Sequence, residues 1–139
     1  MAITTGTANK VLDLLFGQTA LSNLSTMYMG LSTTTIQISG TGSTEPSTSG
    51  TAYARVAIVN NKTNWGTASA ASLANAAAVT FAESTASWGT ITYVFLAASG
   101  TRGTADIWYY EALSTPKTVQ TATTVQFSIG SITVSMTNA

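Results

Sequence analysis

The sequence predicts an all-β fold, an antiparallel β-sandwich of about seven strands behind one short N-terminal helix. Three observations carry this expectation. Apolar residues recur at helical spacing only before Gly17, and beyond it the period falls to two. The later apolar runs are short, rich in β-branched and aromatic residues, and bounded by Gly, Pro, Ser or Asn. Finally, 139 residues with 45% hydrophobic content are enough to fill one core. A single domain over residues 1–139 is therefore expected, with the helix at 7–17 and the sandwich at 26–138.

In chain order, Thr7 is placed to cap the helix, and Ala8, Val11, Leu12 and Leu15 share one face. Gly17 is expected to supply the left-handed residue that ends it. Strands are expected at Met27–Leu31, Tyr53–Asn60, Ala78–Ala82, Thr90–Ala97, Ala105–Leu113, Thr124–Ile129 and Ser131–Thr137. The last two alternate most cleanly, with Val125, Phe127, Ile129, Ile132, Val134 and Met136 on one face, and Gly130-Ser131 reads as the tight turn of a hairpin. Neither strand carries the Lys or Glu that usually guards an edge, so a partner is expected to cover it. Between the first two strands, Ser39–Thr51 has no aliphatic or aromatic residue and contains three glycines and a proline. It reads as a long exposed loop, the best candidate for a contact arm. Asn64-Trp65-Gly66-Thr67 and Ser87-Trp88-Gly89-Thr90 resemble each other, but nothing around them repeats.

Composition narrows function. Charged residues make up 7% of the chain against about 25% in an ordinary domain, while Ser and Thr approach a third. Hydroxyls and amides must solvate this surface. The net charge is zero, and Lys10, Arg55, Lys62, Arg102 and Lys117 lie far apart, which excludes the clustered cations that nucleic acid requires. Little electrostatic repulsion separates copies, which favours self-association. No apolar run is long enough for a membrane span, and Met1–Thr5 lacks the cationic start of a signal peptide. The sequons at Asn23 and Asn61 are accordingly expected to be accidental.

The residues also point away from catalysis. There is no His to act as base and no Cys to act as nucleophile or metal ligand. No Ser-x-x-Lys or Gly-x-Ser-x-Gly pattern occurs, and Gly40-Thr41-Gly42 leads into no phosphate loop. Glycoside hydrolysis needs two carboxylates beside aromatic faces, and Asp106-Ile107-Trp108-Tyr109-Tyr110-Glu111 with Glu83 comes nearest. Because adjacent aromatics alternate across a strand, a packed strand with an acid at each end is the preferred reading. Trp65 and Trp88, each beside a strand, are expected in the core. Arg55 is expected to stack on Tyr53 with its head exposed. No catalytic residue, metal site, cofactor or small-molecule substrate is expected.

Several segments, taken in order, resemble a known family. They are Lys10–Leu15, Tyr28-Met29-Gly30-Leu31-Ser32-Thr33-Thr34, Glu45-Pro46, Tyr53-Ala54-Arg55-Val56, Asn60-Asn61 with Asn64-Trp65, Asn75-Ala76-Ala77, Val79-Thr80-Phe81, Ala86–Thr92, and Leu113 with Pro116–Val119. Together they resemble small virion proteins of tailed bacteriophages, labelled either tail fibre or capsid decoration (cement) protein. The family often carries a glycine run where this chain has Ser49-Gly50-Thr51-Ala52, so a different loop exit is expected. The resemblance implies a β-rich virion component made in the host cytoplasm. The first expectation is a decoration protein on the outer capsid surface, bound to the major capsid protein as a homotrimer that bridges capsomers. The alternative is a tail fibre or receptor-binding module recognising a host glycan. Partner contacts are expected from Leu12 and Leu15 of the helix and from Thr44, Glu45, Pro46 and Ser47 of the loop, without nucleic acid or membrane.

Overall fold

The computed structural model describes residues 1–17, 19–21 and 24–136. Asn23 of the first sequon, Thr137 of the last predicted strand and the final residue of the predicted sandwich span lie outside the described residues. The chain is mostly sheet with one helix, as the periodicity predicts. A five-stranded antiparallel sheet forms in the order β1 (Ala2–Ile3), β7 (Ile107–Val119), β6 (Gly89–Ala97), β2 (Thr26–Ser32), β3 (Val56–Val59). Two ribbons, β4 (Ser72–Ala74) with β9 (Thr133–Ser135) and β5 (Val79–Thr80) with β8 (Gln126–Phe127), close one face of it.

Between the sheet and the ribbons lies the main core. Met27, Met29 and Leu31 alternate inward from β2, and Tyr53, Phe81 and Trp88 form a mutually packed aromatic group with centroids 5.3–6.3 Å apart. Full burial of a ring such as Phe81, 2% exposed, contributes about 1.5–3 kcal/mol. Trp65 and Trp88 are buried as expected, and their indole N–H groups donate to Asn60 Oδ1 (3.1 Å) and the Thr51 carbonyl (2.8 Å). The far face of the sheet carries a smaller cluster of Ile36, Phe95, Ala97 and Ile107. Gly30 is required there, because a Cβ at that position would stand 2.2 Å from Phe95 Cζ.

Two irregularities in β7 break the simple alternation. Leu96 pairs with Tyr109 but Ala97 with Ile107, so Trp108 is bulged out of register. Trp108 and Tyr109 consequently both pack toward the main core, while Ile107 and Tyr110 turn to the other side. This corrects the strict alternation expected of the three aromatics. Farther along, Ile91 pairs with Lys117 and Tyr93 with Ala112, which leaves Leu113–Pro116 looped out of the ladder.

The predicted C-terminal hairpin does not form. Gly130 does turn, with φ +77°, but β8 and β9 part to pair with β5 and β4. Asn75 is the cause. Its amide donates to the carbonyls of Ala77 (2.8 Å) and Ser128 (2.9 Å), its Oδ1 accepts from Ile132 N–H (2.9 Å), and its backbone bonds both Ile132 and Gly130. One buried side chain thus takes the bonds that a hairpin ladder would have used.

Helix α1 (Thr5–Phe16) begins earlier than predicted. Of the three threonines at its start, Thr4 is the cap, because its Oγ1 donates to the Ile107 carbonyl (3.0 Å) while accepting from Thr7 N–H. Gly17 is right-handed (φ −92°), not left-handed, and the last turn is closed instead by Gly17 and Thr19 N–H groups on the Asp13 carbonyl.

Candidate functional site

The predicted contact residues fall into two groups, and the structure treats them oppositely. Ser39–Thr51 is the exposed loop expected over most of its length, but it is no free arm, because Glu45 and Pro46 are buried and its backbone is tied down. Thr44 N–H bonds Ser32 Oγ (3.0 Å), and its carbonyl accepts from Thr33 N–H (2.9 Å). Ser47 accepts at its carbonyl from Thr51 Oγ1 and at its hydroxyl from Ser49 N–H. Only the Thr44 and Ser47 side chains of the four remain exposed.

Glu45 fixes the loop. Its carboxylate accepts from Tyr53 OH (2.9 Å), Arg55 Nε (3.0 Å), Arg55 Nη2 (2.7 Å) and Gly103 N–H (2.8 Å). The Glu45 and Arg55 side chains are 2% and 0% exposed, which corrects the expectation that the Arg55 head is solvated. The guanidinium lies 5.0 Å from the Phe95 ring, not on Tyr53, and also reaches the carbonyls of Ser99 and Thr104. Arg102 closes the knot from the other loop, donating to the Pro46 and Glu45 carbonyls. Burial pushes the Glu45 pKa up, but the Arg55 and Gly103 bonds outweigh it and hold the carboxyl below its ordinary value. The Tyr53 phenol is pushed up, first by burial. Its oxygen accepts from Leu31 N–H (2.9 Å) where β3 has already ended, standing in for a missing strand neighbour. This cluster is a structural clamp on the loop.

At the other site α1 is anchored on β7 by Thr4 and by Lys10, whose Nζ lies 4.6 Å from the Trp108 ring and 3.5 Å from Asp106 Oδ1. Thr7 is its one buried residue, and of the predicted apolar face Ala8 and Val11 are half-buried while Leu12 and Leu15 are not covered. Leu12 and Leu15, the two predicted contacts, are 54% and 66% exposed, and Phe16 is 82% exposed. Sequence reasoning missed Leu14 and Phe16. Their signal was available, since Leu12, Leu14, Leu15 and Phe16 cover more of the helix than one buried stripe needs.

Beside the helix opens an apolar cleft of about 780 Å³, with Leu14 at its edge and Leu24, Trp65, Leu73, Trp108 and Tyr109 among its walls. Burial raises the Tyr109 phenol pKa. Several polar groups around the cleft are already engaged. Asn60 bonds the Leu24 carbonyl and Trp65, Asn61 Oδ1 accepts from Thr63 and Asn64 N–H, Lys62 reaches the Gly66 carbonyl, and Trp108 bonds Asp106. The cleft therefore presents apolar surface to an apolar guest.

Of the three acids weighed for sugar chemistry, Asp106 and Glu111 are engaged elsewhere and Glu83 is exposed. Asp106 serves Lys10 and Trp108, and Glu111 pairs with the Met1 ammonium (3.1 Å). Among the described residues no three metal-ligating side chains cluster, and no helix is long and apolar enough to cross a membrane.

A β-rich scaffold with a clamped loop and an apolar end is the build of a structural part, here one belonging to a bacteriophage virion. The family model described as Podophage GP4 fiber I protein gp80 matches residues 2–135, and the chain belongs to that family. A search of the curated proteins finds no match. Of the two labels carried by the resemblance, the family description uses the fibre one.

Proposed function

We propose that the chain is a structural module of a podophage tail fibre, holding its place by shape and apolar contact and carrying out no catalysis. The observation that carries the reading is the exposed Leu12–Leu15–Phe16 surface of α1 on an otherwise nearly uncharged molecule. An apolar helix that its own domain leaves uncovered marks a contact with another chain. The fibre wording of the family description supports a tail location over the outer capsid surface.

Gold labelling of intact particles tests the location. A fibre module gives label at the tail and a low copy number. Label spread over the head in high copy number would overturn the reading in favour of capsid decoration, with the major capsid protein as partner. Attachment through apolar surface should also survive washing in about 1 M salt, where the Debye length is ~3 Å.

A further inference from the structure

We infer that the exposed tip of α1, Leu15 and Phe16, seats in the apolar cleft of a second copy of this chain. The inference rests on the reading of the chain as an assembly component, but not on where in the particle it sits.

Three observations select that occupant. The first is the matched chemistry of the two surfaces. The Leu15 and Phe16 side chains offer only carbon, and the cleft beside Leu14 is walled mainly by Leu24, Trp65, Leu73, Trp108 and Val134, with Asn61 and Lys62 on one side. An apolar side chain suits those walls because it needs no hydrogen-bond partner there. The second is charge. Net charge is zero, Lys10, the one cation on the helix, is held by Asp106 and Trp108, and the Leu15 and Phe16 side chains bring no charge to Lys62 in the cleft lining.

The third is area. Leu12, Leu14, Leu15 and Phe16 leave on the order of 500 Å² of apolar surface in water, near the upper end of the roughly 300–600 Å² spanned by a monomer's largest patch. When each copy gives its helix tip and receives another's, helix and cleft walls together approach the ~800 Å² per partner of a standard interface. Because knob and cleft adjoin at one end of the molecule, the exchange can close on itself as a pair or as a three-copy ring.

The test uses the full chain. Light scattering at about 10 μM should give a closed oligomer, and Phe16→Ser should weaken it at least ~30-fold while leaving the urea midpoint of the 14.3 kDa monomer unchanged. Since the chain has no Cys, single-cysteine variants report the contact directly. Phe16→Cys and Leu73→Cys proteins, refolded together and oxidised, should form the mixed disulfide. A pair or a three-copy ring supports the inference. A monomeric wild type, an oligomer indifferent to Phe16→Ser, or a disulfide that joins only Phe16→Cys to itself overturns it. None of these outcomes moves the label on the virion, so failure here is distinct from failure of the fibre reading.

Discussion

Removing the Glu45 carboxylate should be among the most damaging single changes in this molecule. In Glu45→Leu the Arg55 guanidinium, 0% exposed, keeps its carbonyl partners at Ser99 and Thr104 but loses its counter-charge. Gly103 N–H loses its acceptor in the same step, and Tyr53 OH is left with the long bond to the Leu31 carbonyl (3.4 Å). Breaking one side of a buried pair costs about 3–5 kcal/mol, much of it the price of stranding the other charge. Against a total stability of about 5–15 kcal/mol that is a large share, and the melting temperature should fall by roughly 10–20 °C. Urea unfolding followed by tryptophan fluorescence reads it, since Trp88 lies in the core against Tyr53. The double variant Glu45→Leu with Arg55→Met should lose less than the sum of the single changes, by about 2 kcal/mol, because no charge is then left unpaired. A Glu45→Leu cost below about 1 kcal/mol, the size of an exposed ion pair, would refute the reasoning.

Other perturbations have equally definite outcomes. The folded pKa of Glu45 is depressed, so its contribution is complete above the ordinary glutamate value of 4.5 and is lost as pH falls through the lower folded one; melting temperature against pH should show that acid decline, and Glu45→Gln should flatten it. Tyr53 is shifted upward, so its contribution is full below the ordinary tyrosine value of 10.0 and fades as pH climbs above it, which Tyr53→Phe should blunt in an alkaline melt. Gly30→Ala drives a methyl into the Phe95 ring, itself covered by Arg55, and should cost about 1–3 kcal/mol by urea titration, with Phe95→Leu cheaper in that background than in the wild type. Asn75→Ala takes the side-chain partner from the Ala77 carbonyl and Ile132 N–H, at about 1–3 kcal/mol for each group that water cannot reach, while the Ser128 carbonyl keeps its bonds from Ser131, and hydrogen exchange at Ile132 should speed up.

What the sequence disclosed and what it concealed follow from the range of the interactions. β2 and β6 were legible to within a residue, because their buried side chains recur along the strand itself. The alternation from Val125 to Met136 was real, yet the pairing it suggested was local, and the bonds of Asn75 are made across more than fifty residues. An Asn within an alanine-rich stretch has no period to betray it. The clamp was hidden for a similar reason. Glu45 and Arg55 carry the rare charges of a chain with few, and that rarity was the usable clue to their pairing. Composition instead favoured an exposed contact arm, since Ser, Thr and Gly say nothing of a buried carboxylate that holds them in place. Leu12 and Leu15, expected from the sequence to face a partner, are exposed, but the cleft beside the helix was not legible, because its walls come from α1, β2, β4, β6, β7 and β9 and the loops between them.

Only Tyr109 and Tyr110 of β7 are covered by β1, so the rest of this strand presents its outer hydrogen-bonding groups without a strand neighbour among the described residues. A nearly uncharged open strand is a template for unlimited stacking. The looped-out Leu113–Pro116 segment sits midway along that border, where Pro116 offers no N–H and Lys117 follows with a charge. An invading strand would lose register within a few residues. The irregularity thus interrupts the open border of β7 and works against strand-by-strand stacking along it.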